Sequence, residues 1–128
     1  MTTPLKHAAS RRDECCYGID IDDDGALVVA LRSSGHPGPA TRYPAGVAGV
    51  SALREHISSQ PARPRICIRS CGAAGVGLAL GLAPLDRAEV TLVAPRTIEA
   101  SGGAGRELAD MGPEERAQRL ARLAERLV

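Results

Sequence analysis

The side chains best placed for chemistry in this chain are one carboxylate, Asp20, and one guanidinium, Arg69. Both sit near the ends of alternating runs, residues 15–22 (CCYGIDID) and 64–70 (PRICIRS). Ligands of open α/β sheets bind outside the carboxyl ends of strands. Carboxylate oxygens there are what hard divalent cations prefer. Phosphoryl chemistry with two Mg2+ ions about 3.5–4 Å apart needs several such carboxylates to clamp the attacking and leaving oxygens. One aspartate cannot supply that. The plainer reading of Asp20 is a solvated acid beside Asp22, Asp23 and Asp24, in an acidic turn.

Other chemistry-bearing residues are weaker candidates. Cys15, Cys16, Cys67 and Cys71 fit no common zinc or disulfide spacing. They read as small hydrophobes on buried strands. His7, His36 and His56 fall in a tail, a turn and a helix, without ligand spacing. Gly72-Ala73-Ala74-Gly75-Val76-Gly77 follows a strand and opens a helix, as a phosphate loop would. Its pattern is G-x-x-G-x-G, with no following G-K-[ST].

The elements that position these residues follow from hydrophobic period. Residues 1–14 read as a disordered tail and 15–128 as one domain. In 15–22, Tyr17, Ile19 and Ile21 point one way and Gly18, Asp20 and Asp22 the other. Residues 26–32 (ALVVALR) form a second strand of a hairpin, and 40–43 a short edge strand after the turn-rich 33–39. Val47, Val50, Leu53 and Ile57 then recur at helical spacing within 45–59, ended by Pro61 and Pro64. A strand over 64–70 follows, with a buried helix over 73–85. A fifth strand spans 89–94, with a short helix over 95–100 and flexible glycines over 101–105. The final helix starts at Pro113 and buries Ala117, Leu120, Ala121, Ala124 and Leu127, with Arg116, Arg119, Arg122 and Arg126 on a solvated face. The order β-β-β-α-β-α-β-α predicts an α/β fold: a ribonuclease H-like mixed sheet, a three-strand antiparallel meander then crossovers, with helices on both faces. In that sheet the first and fourth strands are parallel neighbours, which brings Asp20 beside Arg69.

The chain has 128 residues, 16 basic and 15 acidic side chains, 44% hydrophobic residues and neither Phe nor Trp. Its core must be filled by Val, Ile, Leu and Ala. The near-neutral charge argues against holding nucleic acid by bulk charge alone. There are no Phe or Trp platforms for stacking bases. No apolar run reaches the roughly 18 residues of a membrane span, and no secretory h-region is visible. The expected location is cytoplasmic.

Four segments carry a resemblance. Gly18-Ile19-Asp20 is a strand ending G-[IV]-D. The helix start Tyr43-Pro44-Ala45-Gly46-Val47 is like TPAGV. Ile66-Cys67-Ile68-Arg69-Ser70-Cys71-Gly72 stands where a V-x-x-E-x-T-G strand end would. Val90-Thr91-Leu92-Val93-Ala94-Pro95-Arg96-Thr97-Ile98 matches V-x-x-V-x-P-x-x-[IV]. In this order they resemble the N-terminal DEDD, RuvC-like domain of the IS-one-ten family of insertion-sequence transposases, from about Tyr17 to Val128. The resemblance implies DNA transposition and recombination. It implies Mg2+ in intact relatives, DNA and a guide RNA as partners, association of copies of the chain, and no membrane.

The departures weigh as much as the matches. The resemblance carries over one catalytic, metal-ligating residue, Asp20. Arg69 stands at the family glutamate. An ungapped match of the closing helix puts the two late aspartates at Pro113 and Arg116, and a one-residue shift puts them at Gly112 and Glu115. Asp110, Glu114 and Glu115 lie nearby, off the motif. The family's C-terminal domain with its nucleophilic serine has no counterpart here, and the periodic helix stops at Leu127-Val128. The chain therefore reads as one fold cut from a longer protein, inactive alone. A cation about 4 Å from a divalent metal repels it by about 8 kcal/mol at an effective dielectric of 20. Arg69 is thus expected to take the metal's place and pair with Asp20, bidentately, with weak or no Mg2+ binding. Two other readings stand beside this one: a non-catalytic nucleic-acid-binding or interaction module, and a small nucleotide-binding α/β protein.

Overall fold

The structure is a computed structural model that describes residues 14–33, 35–102 and 106–126. The expected tail lies outside these residues except for Glu14, which opens the first strand. Residues 103–105 and 127–128 lie outside them too.

Five strands form one mixed sheet: β1 (Glu14–Ile21), β2 (Leu27–Ser33), β3 (His36–Tyr43), β4 (Arg63–Arg69) and β5 (Glu89–Val93). Their order is β3-β2-β1-β4-β5. β1 pairs antiparallel with β2, and β2 with β3. β4 runs parallel to both β1 and β5. Four helices complete the fold: α1 (Val47–Ser59), α2 (Ala73–Leu82), α3 (Pro95–Ser101) and α4 (Pro113–Arg126). This is the expected α/β architecture, a meander followed by crossovers, consistent with a ribonuclease H-like fold.

The alternation of β1 divides the core as its period dictates. Cys15, Tyr17, Ile19 and Ile21 pack with Ile66 and Ile68 against Leu53 and Ile57 of α1 and Leu78 and Leu82 of α2. On the opposite face Cys16 and Cys67 meet Leu120 and Ala124 of α4 and Ile98 of α3. Val28 and Ala30 meet Ala117 and Ala121 there. β2, an interior strand, is covered on both faces, which is why it reads as an unbroken apolar run.

Gly18 sets the distance of α4 from the sheet. A Cβ at that position would lie 2.0 Å from the Ala117 carbonyl oxygen and 2.2 Å from the Ala121 nitrogen. Only glycine lets the helix backbone lie this close.

Three local expectations need correction. β3 starts at His36 and takes in Pro37, Gly38 and Pro39, residues that read as a turn. It is an edge strand, where proline is tolerated, and its register shifts between Ala30 and Arg32. The buried stripe of α1 is Gly49, Leu53 and Ile57, and Val47 is exposed. The chain folds back over Gly49, where a Cβ would meet the Pro44 carbonyl oxygen at 1.7 Å. α2 ends at Leu82 and buries only Gly75, Leu78 and Leu82, so it is a surface helix despite its apolar composition.

Candidate functional site

Asp20 is fully buried, the only buried charged residue among those described. It lies at the carboxyl end of β1, on the face opposite Ile19 and Ile21. The parallel register places Ile19 beside Ile68, so Arg69 follows directly alongside Asp20. Arg69 donates from Nε to Asp20 Oδ1 and from Nη2 to the Ile21 carbonyl oxygen at 2.7 Å. The solvated reading of Asp20 is therefore wrong: α4 packs over this end of β1 and excludes water.

A second arginine completes the arrangement. Arg116, in the first turn of α4, donates from Nε to Asp20 Oδ2 at 3.0 Å. Its Nη1 bonds the carbonyl oxygens of Leu108 and Met111. The two guanidiniums are themselves mostly covered, 18% and 15% exposed, against 0% for the Asp20 side chain. Each arginine uses one Nε on one oxygen, where a single bidentate pair was expected. Three backbone carbonyls, of Ile21, Leu108 and Met111, accept further N–H groups of a cluster holding two cations and one anion.

The four arginines of α4 are thus not one solvated face. Arg116 points inward. Arg119 is 14% exposed and pairs with Glu115, with Nη1 on the carbonyls of Ile98 and Glu99. Arg122 and Arg126 are exposed.

Nearby acids serve other partners. Asp22 Oδ1 accepts from the N–H groups of Asp24 and Ala26, closing the β1–β2 turn. Its Oδ2 accepts from Arg42 at 2.7 Å, and Arg42 also reaches Glu114. The Arg42 hydrogen bond holds the Asp22 carboxyl below its ordinary value. Glu114 is also lowered, first by its own N–H at the helix start and then by Arg42. Glu115 pairs with Arg106 and Arg119. Asp110 lies in a single 3-10 turn, Leu108–Asp110, where its carbonyl accepts from Arg106.

These residues do not fit a two-metal centre. Both Asp20 oxygens are taken by guanidiniums, and among the described residues no three His, Cys, Asp or Glu side chains gather as a metal site. A divalent ion about 4 Å from each arginine would meet about 8 kcal/mol of repulsion from each at an effective dielectric of 20.

The remaining candidates scatter. Cys15, Cys16 and Cys67 are buried, and Cys71 is half-buried just past β4. His36 opens β3, and His56 on α1 meets Tyr17 edge-on. Gly72 precedes α2 with φ +73°. Gly75 is explained by packing, since a Cβ there would lie 3.0 Å from the Arg69 carbonyl oxygen.

The role of Arg116 escaped the sequence reading. Its helical pattern is that of a solvated arginine; the one pointer was the ungapped alignment to the resembled motif, which fell on Arg116. No helix among the described residues is long and apolar enough to cross a membrane. No protein-family model matches the chain, and no curated protein matches it.

Proposed function

We propose that this chain is a RuvC-like domain of the IS-one-ten transposase type whose metal site has become an internal ion cluster. One observation carries the reading: Arg69 and Arg116 converge on Asp20. Asp20 matches the first catalytic aspartate of the family motif. Arg69 stands at the glutamate and, in the ungapped register, Arg116 at the second late aspartate. That three motif-matched positions meet at one carboxylate supports the reading. In a working site these positions hold Mg2+ for DNA strand transfer. Here the cations are covalent parts of the protein, and the carboxylate binds them instead. The domain keeps the scaffold and does not cut DNA itself. Incubation with duplex and branched DNA plus Mg2+ or Mn2+ should yield no cleavage. Metal-dependent cleavage that disappears in Asp20→Ala would overturn the proposal.

A second reading, a non-catalytic nucleic-acid-binding module, draws on Arg122 and Arg126. They stand one turn apart on the exposed side of α4, and no ion pair is recorded for them among the described residues. Binding of this kind must rest on phosphate contacts, so affinity for DNA or RNA should fall steeply with salt. Absence of binding at low salt would remove it.

A further inference from the structure

We propose that Arg69 and Arg116 form a binding site for one phosphate-type oxyanion, a role that rests on the reading of these arginines and Asp20 as an ion cluster in place of a metal site. Charge carries it first. Two guanidiniums and one carboxylate leave the cluster with one positive charge unmatched. A largely covered charge without a counter-ion is costly, so such a site gains by taking an anion. The neighbouring acids do not supply one. Asp22 and Glu114 turn to Arg42, which is half exposed, so water and salt screen what remains of their charge. Glu115 takes Arg106 and Arg119. Glu99 accepts the Leu108 N–H.

The donors agree. Arg69 spends Nε on Asp20 and Nη2 on the Ile21 carbonyl, which leaves Nη1. Arg116 spends Nε on Asp20 and Nη1 on two carbonyls, which leaves Nη2. Neither remaining nitrogen has a partner among the described residues, and neither is sealed from solvent. The Asp20 side chain has no open surface, whereas both arginines do. An anion arriving from solvent therefore meets the cations and not the carboxylate.

The spacing suits a tetrahedral oxyanion. The two Nε atoms hold the two oxygens of one carboxylate, which keeps them within about 8 Å of each other. An oxyanion can bridge such a gap with an oxygen towards each guanidinium. The planar donor fork of arginine favours phosphate, which offers several acceptor oxygens, over a halide. The cluster also lies at the carboxyl ends of parallel strands β1 and β4, where open α/β sheets take ligands.

Calorimetric titration of the whole chain with inorganic phosphate, at neutral pH and fixed ionic strength without divalent metal, tests this. Saturable one-to-one binding is expected, with a rise in Tm that chloride does not give. Glycerol phosphate separates the sources of the group. Tighter binding than inorganic phosphate assigns the site to a phosphorylated small molecule, and weaker binding assigns it to the free ion. Arg116→Lys keeps the charge and loses the fork, so it should keep the wild-type circular dichroism and weaken phosphate binding about tenfold or more. Asp20→Asn removes the charge that repels the anion. Folded Asp20→Asn should bind phosphate more tightly although it unfolds more easily, a pair of effects that a purely structural cluster does not produce. A wild type that binds no phosphate would overturn the inference. So would folded variants whose phosphate affinity equals that of the wild type. With DNA cleavage also absent, these results would leave the loss of metal chemistry standing, whereas metal-dependent cleavage would remove the reading beneath both.

Discussion

Arg116 Nε lies 3.0 Å from Asp20 Oδ2, so a residue late in the chain closes over a carboxylate on the first strand. Arg69 holds the other oxygen. Together they tie β1, β4 and α4 at one point. Removing the carboxylate leaves two largely covered cations without a counter-charge. Breaking a buried ion pair from one side costs about 3–5 kcal/mol. Asp20→Asn is expected to lower the unfolding free energy by about that amount in urea titrations. In a cluster of metal-binding carboxylates the same change relieves repulsion and stabilises the apoprotein, so the sign separates the two arrangements.

Gly18→Ala should be costly although it adds one methyl group. Its Cβ would overlap backbone atoms of Ala117 and Ala121, which cannot rotate away. Overpacking of cores costs about 1–3 kcal/mol and more when the backbone must move, so a loss of about 3 kcal/mol is expected. Calorimetric unfolding checks it, with Gly77→Ala as the reference, since a Cβ at Gly77 meets nothing within 4 Å.

Tyr17→Phe should stabilise the protein. The Tyr17 hydroxyl is buried and has no hydrogen-bond partner among the described residues, and burial pushes its ionisation upward. An unsatisfied buried polar group costs about 1–3 kcal/mol. Removing only the oxygen should raise the unfolding free energy by about 1 kcal/mol, measured by urea unfolding at neutral pH.

Cys67 should make the fold sensitive to alkali. Burial, with Cys16 alongside, pushes its thiol from 9.0 up to about 11. The folded state therefore keeps a proton that the unfolded state releases. The stabilisation is fully present below about pH 9 and is lost as the pH rises towards 11. The urea midpoint should fall across this window, less steeply in Cys67→Ala. Iodoacetamide at neutral pH should modify half-buried Cys71 before Cys67.

The fold was legible because its signals are periodic. The alternation of Tyr17, Ile19 and Ile21 against Gly18 and Asp20 fixes both faces of β1, and the apolar stripe of α4 fixes what covers one of them. Asp20 beside Arg69 followed from the parallel register alone. Arg116 did not, because an arginine on an amphipathic helix has the same pattern whether it meets water or a buried acid. What distinguishes it is Gly18, which admits α4 so closely that Arg116 reaches β1. The stripe of α1 and the start of β3 were misplaced for related reasons: a backbone approach at Gly49 and an edge position at Pro37 are tertiary facts without a local period.

The central claim is that two arginines stand in place of a divalent-metal site around Asp20. Its most direct test is to introduce carboxylates in Arg69→Glu/Arg116→Asp, check folding by circular dichroism, and titrate with Mg2+ and Mn2+ calorimetrically. The wild type should give no saturable heat, and the double variant should gain divalent binding that Asp20→Ala then removes. A folded double variant that binds no metal, or a wild type whose Mg2+ binding depends on Asp20, would contradict the account.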